Sequence, residues 1–268
     1  MTSAKAVITA LTTAALVLLV AGIGHVDEAP APADEPPPPT LVKGSMCVAC
    51  HTATHKELVT RFKETKHGKV QLPKDMTDMK PIDIYRRTIG LAADGKTFFE
   101  AGVGCQSCHG AGSAHLAAKT DQKKATMPRV DELKTPKQKL SVCGRCHGQY
   151  TYKELPYVVN FRPGVDLFAL EGFKLAEITE PGPFQQLNEL EHSKHGANDI
   201  TCITCHTAHE EMTGEHQLRK PVPELCLQCH TEKHPCTVAK DKIPQGATCA
   251  TCHMPGGRHV FAVAAATQ

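Results

Sequence analysis

The sequence predicts a fold of short α-helices and loops, with little or no β-sheet, wrapped around bound groups that supply much of its interior. Six copies of the motif Cys-x-x-Cys-His recur through the 268-residue chain. Aromatic residues make up only 4% of the chain and tryptophan is absent, so large apolar side chains are too few for an ordinary core. The 20 glycines and 19 prolines favour loops and single turns between short helices.

Each motif places two thiols close together and a histidine directly after the second one. The motifs are Cys47, Cys50 and His51; Cys105, Cys108 and His109; Cys143, Cys146 and His147; Cys202, Cys205 and His206; Cys226, Cys229 and His230; and Cys249, Cys252 and His253. Both thiols can bond to the vinyl groups on one porphyrin edge, and the histidine then reaches the iron as proximal ligand. Zinc modules and disulfide scaffolds do not require a histidine after every pair. The sequence therefore predicts six covalently attached haem c groups and the fold class of a multihaem cytochrome c.

Histidines outside the motifs are numerous enough to provide a second ligand for every iron. The chain has 16 histidines in total. We expect six of them to be distal ligands, and these are His67, His115, His195, His209, His234 and His259. The rivals for this role are His192, His55 and His216. His209 follows the proximal His206 too closely to fold back onto the same iron, so we expect it to bind a neighbouring haem and to hold the haems close together.

The N-terminal 45 residues differ in composition from the rest of the chain. Residues 1–24 contain Lys5 and then an apolar run, which is typical of a signal peptide or an N-terminal membrane anchor. Residues 25–45 are rich in proline and predict an extended linker. Lys5 before the run and acidic residues after it favour export of the following domain to the periplasm or the cell exterior.

Residues 46–268 contain all six motifs and form the predicted hexahaem domain. The last three motifs are closer together than the first three, which suggests sub-modules 46–182 and 183–268. Helical spacing of apolar residues predicts a helix over residues 56–66, and prolines predict short helices that begin near Pro183 and Pro223.

Four segments carry a resemblance to a known family. They are Phe62-Lys-Glu-Thr-Lys-His67-Gly, Cys105-Gln-Ser-Cys-His-Gly-Ala-Gly-Ser-Ala-His115, Glu191-His-Ser-Lys-His195 and Cys202-Ile-Thr-Cys-His-Thr-Ala-His209. Together they resemble periplasmic multihaem c-type cytochromes, in particular the decahaem cytochromes of metal- and sulfoxide-reduction conduits and the pentahaem electron donor to nitrite reductase. The resemblance implies bis-histidine haems in a wire-like chain. Six motifs differ from the five or ten of those groups, so their ligand pairing cannot be transferred.

Electron transfer in anaerobic respiration is the function that these observations favour. The chain would accept electrons from a quinol-oxidising cytochrome or periplasmic donor and pass them to a terminal reductase or an outer-membrane or extracellular conduit. One alternative is a multihaem reductase of nitrogen or sulfur oxyanions with an open iron, although every motif keeps its histidine. Another is a subunit of a polymeric cytochrome filament.

Two further features bear on partners. Cys236 is the odd thiol, and the sequence leaves open whether it cross-links two chains. The net charge of +2 is spread without a basic tract, which argues against nucleic-acid binding.

Overall fold

The computed structural model describes residues 38–214, 216–231 and 238–261, and in these ranges the chain is a series of short helices joined by loops. The α-helices are α1 (Gly44–Thr54), α2 (Lys56–Glu64), α3 (Pro81–Tyr85), α4 (Cys105–His109), α5 (Ser113–Ala117), α6 (Pro136–His147), α7 (Gln186–Glu191), α8 (Cys202–Cys205), α9 (Val222–Leu227) and α10 (Cys249–His253). Short 3-10 helices lie at Lys123–Thr126, Val130–Glu132, Leu167–Ala169, Gly196–Asn198, Lys240–Lys242 and Pro255–Gly257.

Sheet structure is confined to two small antiparallel ribbons in the described residues. Strand β1 (Thr88–Ile89) pairs with β2 (Glu100–Ala101), and β3 (Tyr150–Tyr152) pairs with β4 (Phe173–Leu175). The prediction of short helices and loops with little β-sheet is therefore confirmed.

Every motif begins in a helix. In five of them both cysteines, three residues apart, lie in that helix and on the same face, whereas α9 ends at Leu227, before Cys229. In three motifs the residue before the second cysteine also caps the helix. The side-chain hydroxyls of Ser107, Thr204 and Thr251 each accept a hydrogen bond from the backbone N–H three residues earlier. This satisfies a donor that a helix N-terminus leaves unpaired and fixes the start of the motif.

The apolar core lies in the middle of the chain and consists of three small clusters. Ile84, Tyr85, Leu91 and Tyr157 form the first cluster. Leu140, Leu187 and Leu190 form the second, where α6 packs on α7. Tyr150, Val158 and Leu167 form the third. The helices α1, α8, α9 and α10, which carry four of the motifs, contain no buried residue.

Two of the three local helix predictions are confirmed. Helix α2 begins at Lys56 as predicted, and Pro223 lies in the first turn of α9. The prediction that Pro183 opens a helix is wrong, because α7 begins at Gln186 after Phe184 adopts a positive φ of 57°. Leu187 and Leu190 are nevertheless both buried, as their spacing predicts.

Several sequence predictions fall outside the described residues. The proposed signal or anchor, most of the linker, His234 and Cys236 are among them. Across the described ranges, no helix is both long enough and apolar enough to span a bilayer. The division into sub-modules 46–182 and 183–268 stays a prediction, although α6 packs on both α7 and α8 across that boundary.

Candidate functional site

The motif cysteines contact one another in the order in which they occur along the chain. Hydrogen bonds join the thiols of Cys47 and Cys105, of Cys143 and Cys202, and of Cys226 and Cys249. Each of these contacts links the first cysteine of one motif to the first cysteine of the next. Burial raises the pKa of the Cys108 thiol to about 12, with a further contribution from nearby Cys143, so the second and third motifs are also neighbours. Cys205 and Cys229 join the fourth and fifth motifs in the same way.

Five of the six motif histidines face a second histidine across a similar gap. The separations of the ring centroids are 6.2 Å for His51 and His115, 6.1 Å for His109 and His209, 5.7 Å for His147 and His67, 6.0 Å for His206 and His259, and 5.8 Å for His230 and His195. All five partners are histidines that the sequence analysis expected to be distal ligands. The sixth expected distal ligand, His234, lies outside the described residues.

These separations fit a metal ion held between two imidazoles. An imidazole nitrogen binds a first-row metal at about 2.0 Å, so two ligands on opposite sides lie about 4 Å apart, and their ring centroids lie about 6 Å apart. The Nε2 atoms of His67 and His147 are 3.4 Å apart, slightly closer than this. No group of three or more His, Cys, Asp or Glu in the described ranges could hold a metal ion without a cofactor. The arrangement therefore suits an iron whose remaining ligands come from a porphyrin.

Backbone carbonyls orient several of these rings. The Nδ1 atoms of His109, His206 and His115 lie 2.8, 2.9 and 3.0 Å from the carbonyl oxygens of Pro128, His216 and Lys123. A carbonyl can only accept a hydrogen bond, so Nδ1 carries the proton and Nε2 is left with a free lone pair. That is the tautomer that binds a metal through Nε2.

Three distal candidates have a buried ring nitrogen that no protein group satisfies. The Nδ1 atoms of His195, His209 and His259 have no hydrogen-bond partner in the part of the chain that the structure describes. Buried polar atoms in proteins are normally paired, so these three require an acceptor from beyond the described residues. The carboxylates of a haem are one such group, and the orphaned atoms fit a site that a haem completes.

Burial keeps the facing rings neutral. Burial lowers the pKa of His147 to about 4, and the neighbouring His67 contributes to the same shift. Burial also lowers the pKa of His67, His206 and His259. Because neutral imidazole is the form that binds metal ions, these rings remain able to coordinate iron well below neutral pH.

The three rivals differ from the five paired histidines. His55 lies one helical turn from His51 on the exposed end of α1, with the ring centroids 5.5 Å apart. The Nδ1 of His192 hydrogen-bonds to the carbonyl of Asn188 within α7. His216 contributes its backbone carbonyl to orient His206. His55 and the paired His115 therefore both lie against the ring of His51.

A four-residue segment recurs at two of the distal candidates. His67 lies in Thr-Lys-His-Gly after α2, and His195 lies in Ser-Lys-His-Gly after α7. Thr65 and Ser193 each donate to the carbonyl three residues earlier and accept from the N–H of the following glycine. A Cβ at either glycine would lie 2.2 Å from a backbone carbonyl oxygen. Only glycine fits there, and this recurrence is a signal in the sequence for a ligand position.

The third motif has two buried arginines beside it, which sequence reasoning did not single out. The guanidinium of Arg86 donates to the carbonyls of Cys146 and Gly148 and lies 4.0 Å from the centre of the Phe184 ring. Arg145, within the motif, donates to the Tyr85 hydroxyl. Burial raises the pKa of the Cys146 thiol, and the charges of Arg145 and Arg86 oppose that shift.

A family model and two solved structures are similar to parts of this chain. Residues 192–235, which contain the fourth and fifth motifs, match the family described as "Doubled CXXCH motif". No curated protein matches the chain. The crystal structure of the outer cell wall cytochrome OcwA superposes with a TM-score of 0.56 at 17% identity, covering 80% of this chain and 78% of that one. The undecaheme cytochrome from the S-layer of Carboxydothermus ferrireducens gives a TM-score of 0.34 at 21% identity over 66% of this chain and 36% of that one.

Proposed function

We propose that this chain, whose fold and motifs are those of a multihaem c-type cytochrome, carries electrons along a series of six bis-histidine haems. Haem iron supplies reversible one-electron chemistry. The chain's own residues hold the cofactors covalently, provide both axial ligands and set the spacing from one centre to the next.

One observation carries this proposal: five motif histidines each face a second histidine at a ring separation of 5.7 to 6.2 Å. An iron held on both sides has no open position for a substrate. This supports electron transfer over reduction of a small molecule. We assign the sixth distal position to His234, which completes the set.

The thiol contacts support a linear order of haems from the first motif to the sixth. The pairs Cys47 with Cys105, Cys143 with Cys202 and Cys226 with Cys249 bring successive attachment points together. Several distal candidates also come from a different motif's segment. His115, for example, follows the second motif and faces His51 of the first. A ligand that follows one motif and faces the histidine of another holds the two neighbouring haems close together.

The composition of the N-terminal residues supports export, so we place the haem domain in the periplasm or at the cell exterior. Its partners would then be other redox proteins: a quinol-oxidising cytochrome or periplasmic carrier as donor, and a terminal reductase or outer-membrane conduit as acceptor. Anaerobic respiration is the setting in which such a relay operates.

The test is to count haems per chain by mass and to record the EPR spectrum of the oxidised protein. We expect six haems, all low-spin. His209→Ala should convert one haem to a high-spin form that binds cyanide, because it removes the ligand opposite His109. His192→Ala is the matched control and should leave all six haems low-spin.

Other outcomes would contradict the proposal in distinct ways. A native high-spin haem that responds to nitrite or hydroxylamine would indicate the reductase instead. Six low-spin haems that appear only in an assembled polymer would indicate the filament. Fewer than six haems would show that some motifs do not bind the cofactor.

A further inference from the structure

The third motif lies in a buried and positively charged environment. Arg145 is 9% exposed and Arg86 is 8% exposed, and both flank the segment that holds Cys146 and His147. No carboxylate oxygen in the described part of the chain lies within ion-pair distance of Arg145. Arg86 has one such contact, at 3.5 Å to Asp83, whose side chain is 35% exposed. In the described residues, Arg86 therefore has one partly solvated anion beside it, and Arg145 has none within ion-pair distance.

Aromatic rings and neutral dipoles hold these guanidinium groups in place. The Arg145 Cζ lies 5.2 Å from the centre of the Tyr85 ring and 5.3 Å from that of Phe161, and Nη1 donates to the Tyr85 hydroxyl at 3.2 Å. Arg86 lies over Phe184, and the Phe184 ring centre lies 6.1 Å from that of His147. Cation–π contacts stabilise the charge without cancelling it. The positive field consequently extends to the neighbouring motif residues.

A fixed positive charge in a poorly solvated site favours the state of a nearby group that carries less positive charge. Ferric iron held by His67 and His147 gains one electron to become ferrous, and no bond is made or broken. The electron comes from the upstream redox protein, or from dithionite in a titration. Arg145 and Arg86 keep their protons throughout, and their charges stabilise the reduced form relative to the oxidised one.

We propose that Arg145, assisted by Arg86, raises the reduction potential of the third haem. This rests on the proposed function. Arg145 acts on the haem iron through its positive charge and is not itself a ligand. The first haem is its opposite, because its attachment residue Cys47 lies near the carboxylate of Glu100, and Cys50 is exposed.

The third haem can be followed separately because its ligand geometry differs from the others. The rings of His67 and His147 are 85° apart, whereas the other four described pairs lie between 17° and 56°. Perpendicular imidazole planes leave the iron d orbitals nearly degenerate, which gives low-spin ferric iron an EPR signal at larger g than parallel planes do. Loss of this signal in His67→Met would assign it.

The experiment is a redox titration of the holoprotein followed by EPR. Arg145→Met should keep six haems and the same signal. The midpoint potential of that signal should fall by at least about 59 mV, which is a tenfold change in the ratio of reduced to oxidised iron. Arg145→Lys keeps the charge and should shift it much less. Exposed Arg162→Gln is the control and should have no effect.

A second variant protects the test against misfolding of Arg145→Met. Asp83→Asn removes the one anion near Arg86 at a partly exposed position, and it should move the same signal to higher potential. The proposal is overturned if neither substitution moves the large-g signal. Absence of a low-spin haem at the third motif would instead contradict the proposed function, and the inference with it.

Discussion

At the scale of single residues, hydrogen bonds to the neighbours of a ligand decide where that ligand lies. Glu189 on α7 shows this best, because it is buried and its carboxylate accepts from two neighbours of the distal site. Arg258 Nε donates to it at 2.7 Å, and the backbone N–H of His259 donates at 2.6 Å. The C-terminal segment contributes His259 to the site opposite His206, and this carboxylate fixes its approach.

Glu189→Gln should therefore loosen His259 without removing it. The amide keeps the size of the carboxylate but loses its charge, and hydrogen bonds to a buried charge contribute about 1.5–3 kcal/mol. We expect added imidazole or cyanide to compete for one haem in this variant, as measured by optical titration. Glu171→Gln, at an exposed position, should behave as the native protein does; equal ligand binding by both variants would contradict the role of Glu189.

Asp94 gives a pH prediction at the same scale. Hydrogen bonds from the Thr97 side chain and from the backbone N–H groups of Thr97 and Lys96 lower the pKa of its carboxyl to about 2. The turn is therefore stabilised at any pH above about 4, the ordinary pKa of the group, and loses this contribution as the pH falls towards 2. Protection of the Lys96 and Thr97 amides against hydrogen exchange, relative to the unfolded chain, should decrease over that interval. In Asp94→Asn this decrease should be absent; its persistence would rule out the carboxylate as the cause.

At the scale of elements, the segments that follow α2 and α7 position a histidine ligand in the same way. Each helix ends in a hydroxyl residue that bonds back to the last turn, and a glycine allows the chain to pass close to a carbonyl. The histidine between them projects toward a motif that is distant in sequence. His67 thus reaches the third motif and His195 reaches the fifth.

Gly196→Ala should displace His195 from its position opposite His230. The added Cβ would lie 2.2 Å from the Leu190 carbonyl oxygen, a distance that forces the backbone to move. We expect one haem to become partly high-spin in EPR. Gly182→Ala is the control, because its Cβ meets only the end of the Gln185 side chain at 3.0 Å. A fully low-spin Gly196→Ala protein would contradict the argument.

The sequence predicted the elements that depend on local spacing and missed those that depend on distant contacts. Helices α2 and α9 follow from residues close together in the chain. The start of α7 did not, because Phe184 takes a left-handed conformation while its ring packs on Arg86 from another segment. Likewise, the distal candidates could be named from sequence, whereas the choice of motif that each one faces depends on the fold. Arg86 and Arg145 gave no signal, since their burial is set by tertiary packing.

At the scale of the whole molecule, the apolar core of the described residues comes from the middle of the sequence, and the ends of the chain depend on cofactors. The buried apolar residues lie between Val59 and Leu190, and α9 and α10 contain none. So small an apolar core supplies limited folding free energy, and cofactor binding has to supply the rest. The two ends of the chain should therefore differ from its middle in how they respond to loss of a haem.

Replacing both Cys249 and Cys252 by alanine should leave five haems and unfold only the last segments. We expect faster hydrogen exchange in α9 and α10, with the exchange of α6 and α7 unchanged. The same change at Cys143 and Cys146 should destabilise the centre, because Cys146 and Cys202 pack against the apolar clusters there. Equal effects of the two double variants would show that the chain folds as one cooperative unit.

The thiol contacts between motifs also constrain how the protein is made. Cys143 and Cys202 lie within hydrogen-bonding distance where α6 meets α8. Two thiols this close, in the oxidising compartment proposed for the chain, can join to each other and become unavailable to porphyrin. On the proposed location, we therefore expect haem to be attached before α6 and α8 come together, while the polypeptide is still open. Biogenesis thus has a required sequence of events, in which covalent loading comes first and compaction follows.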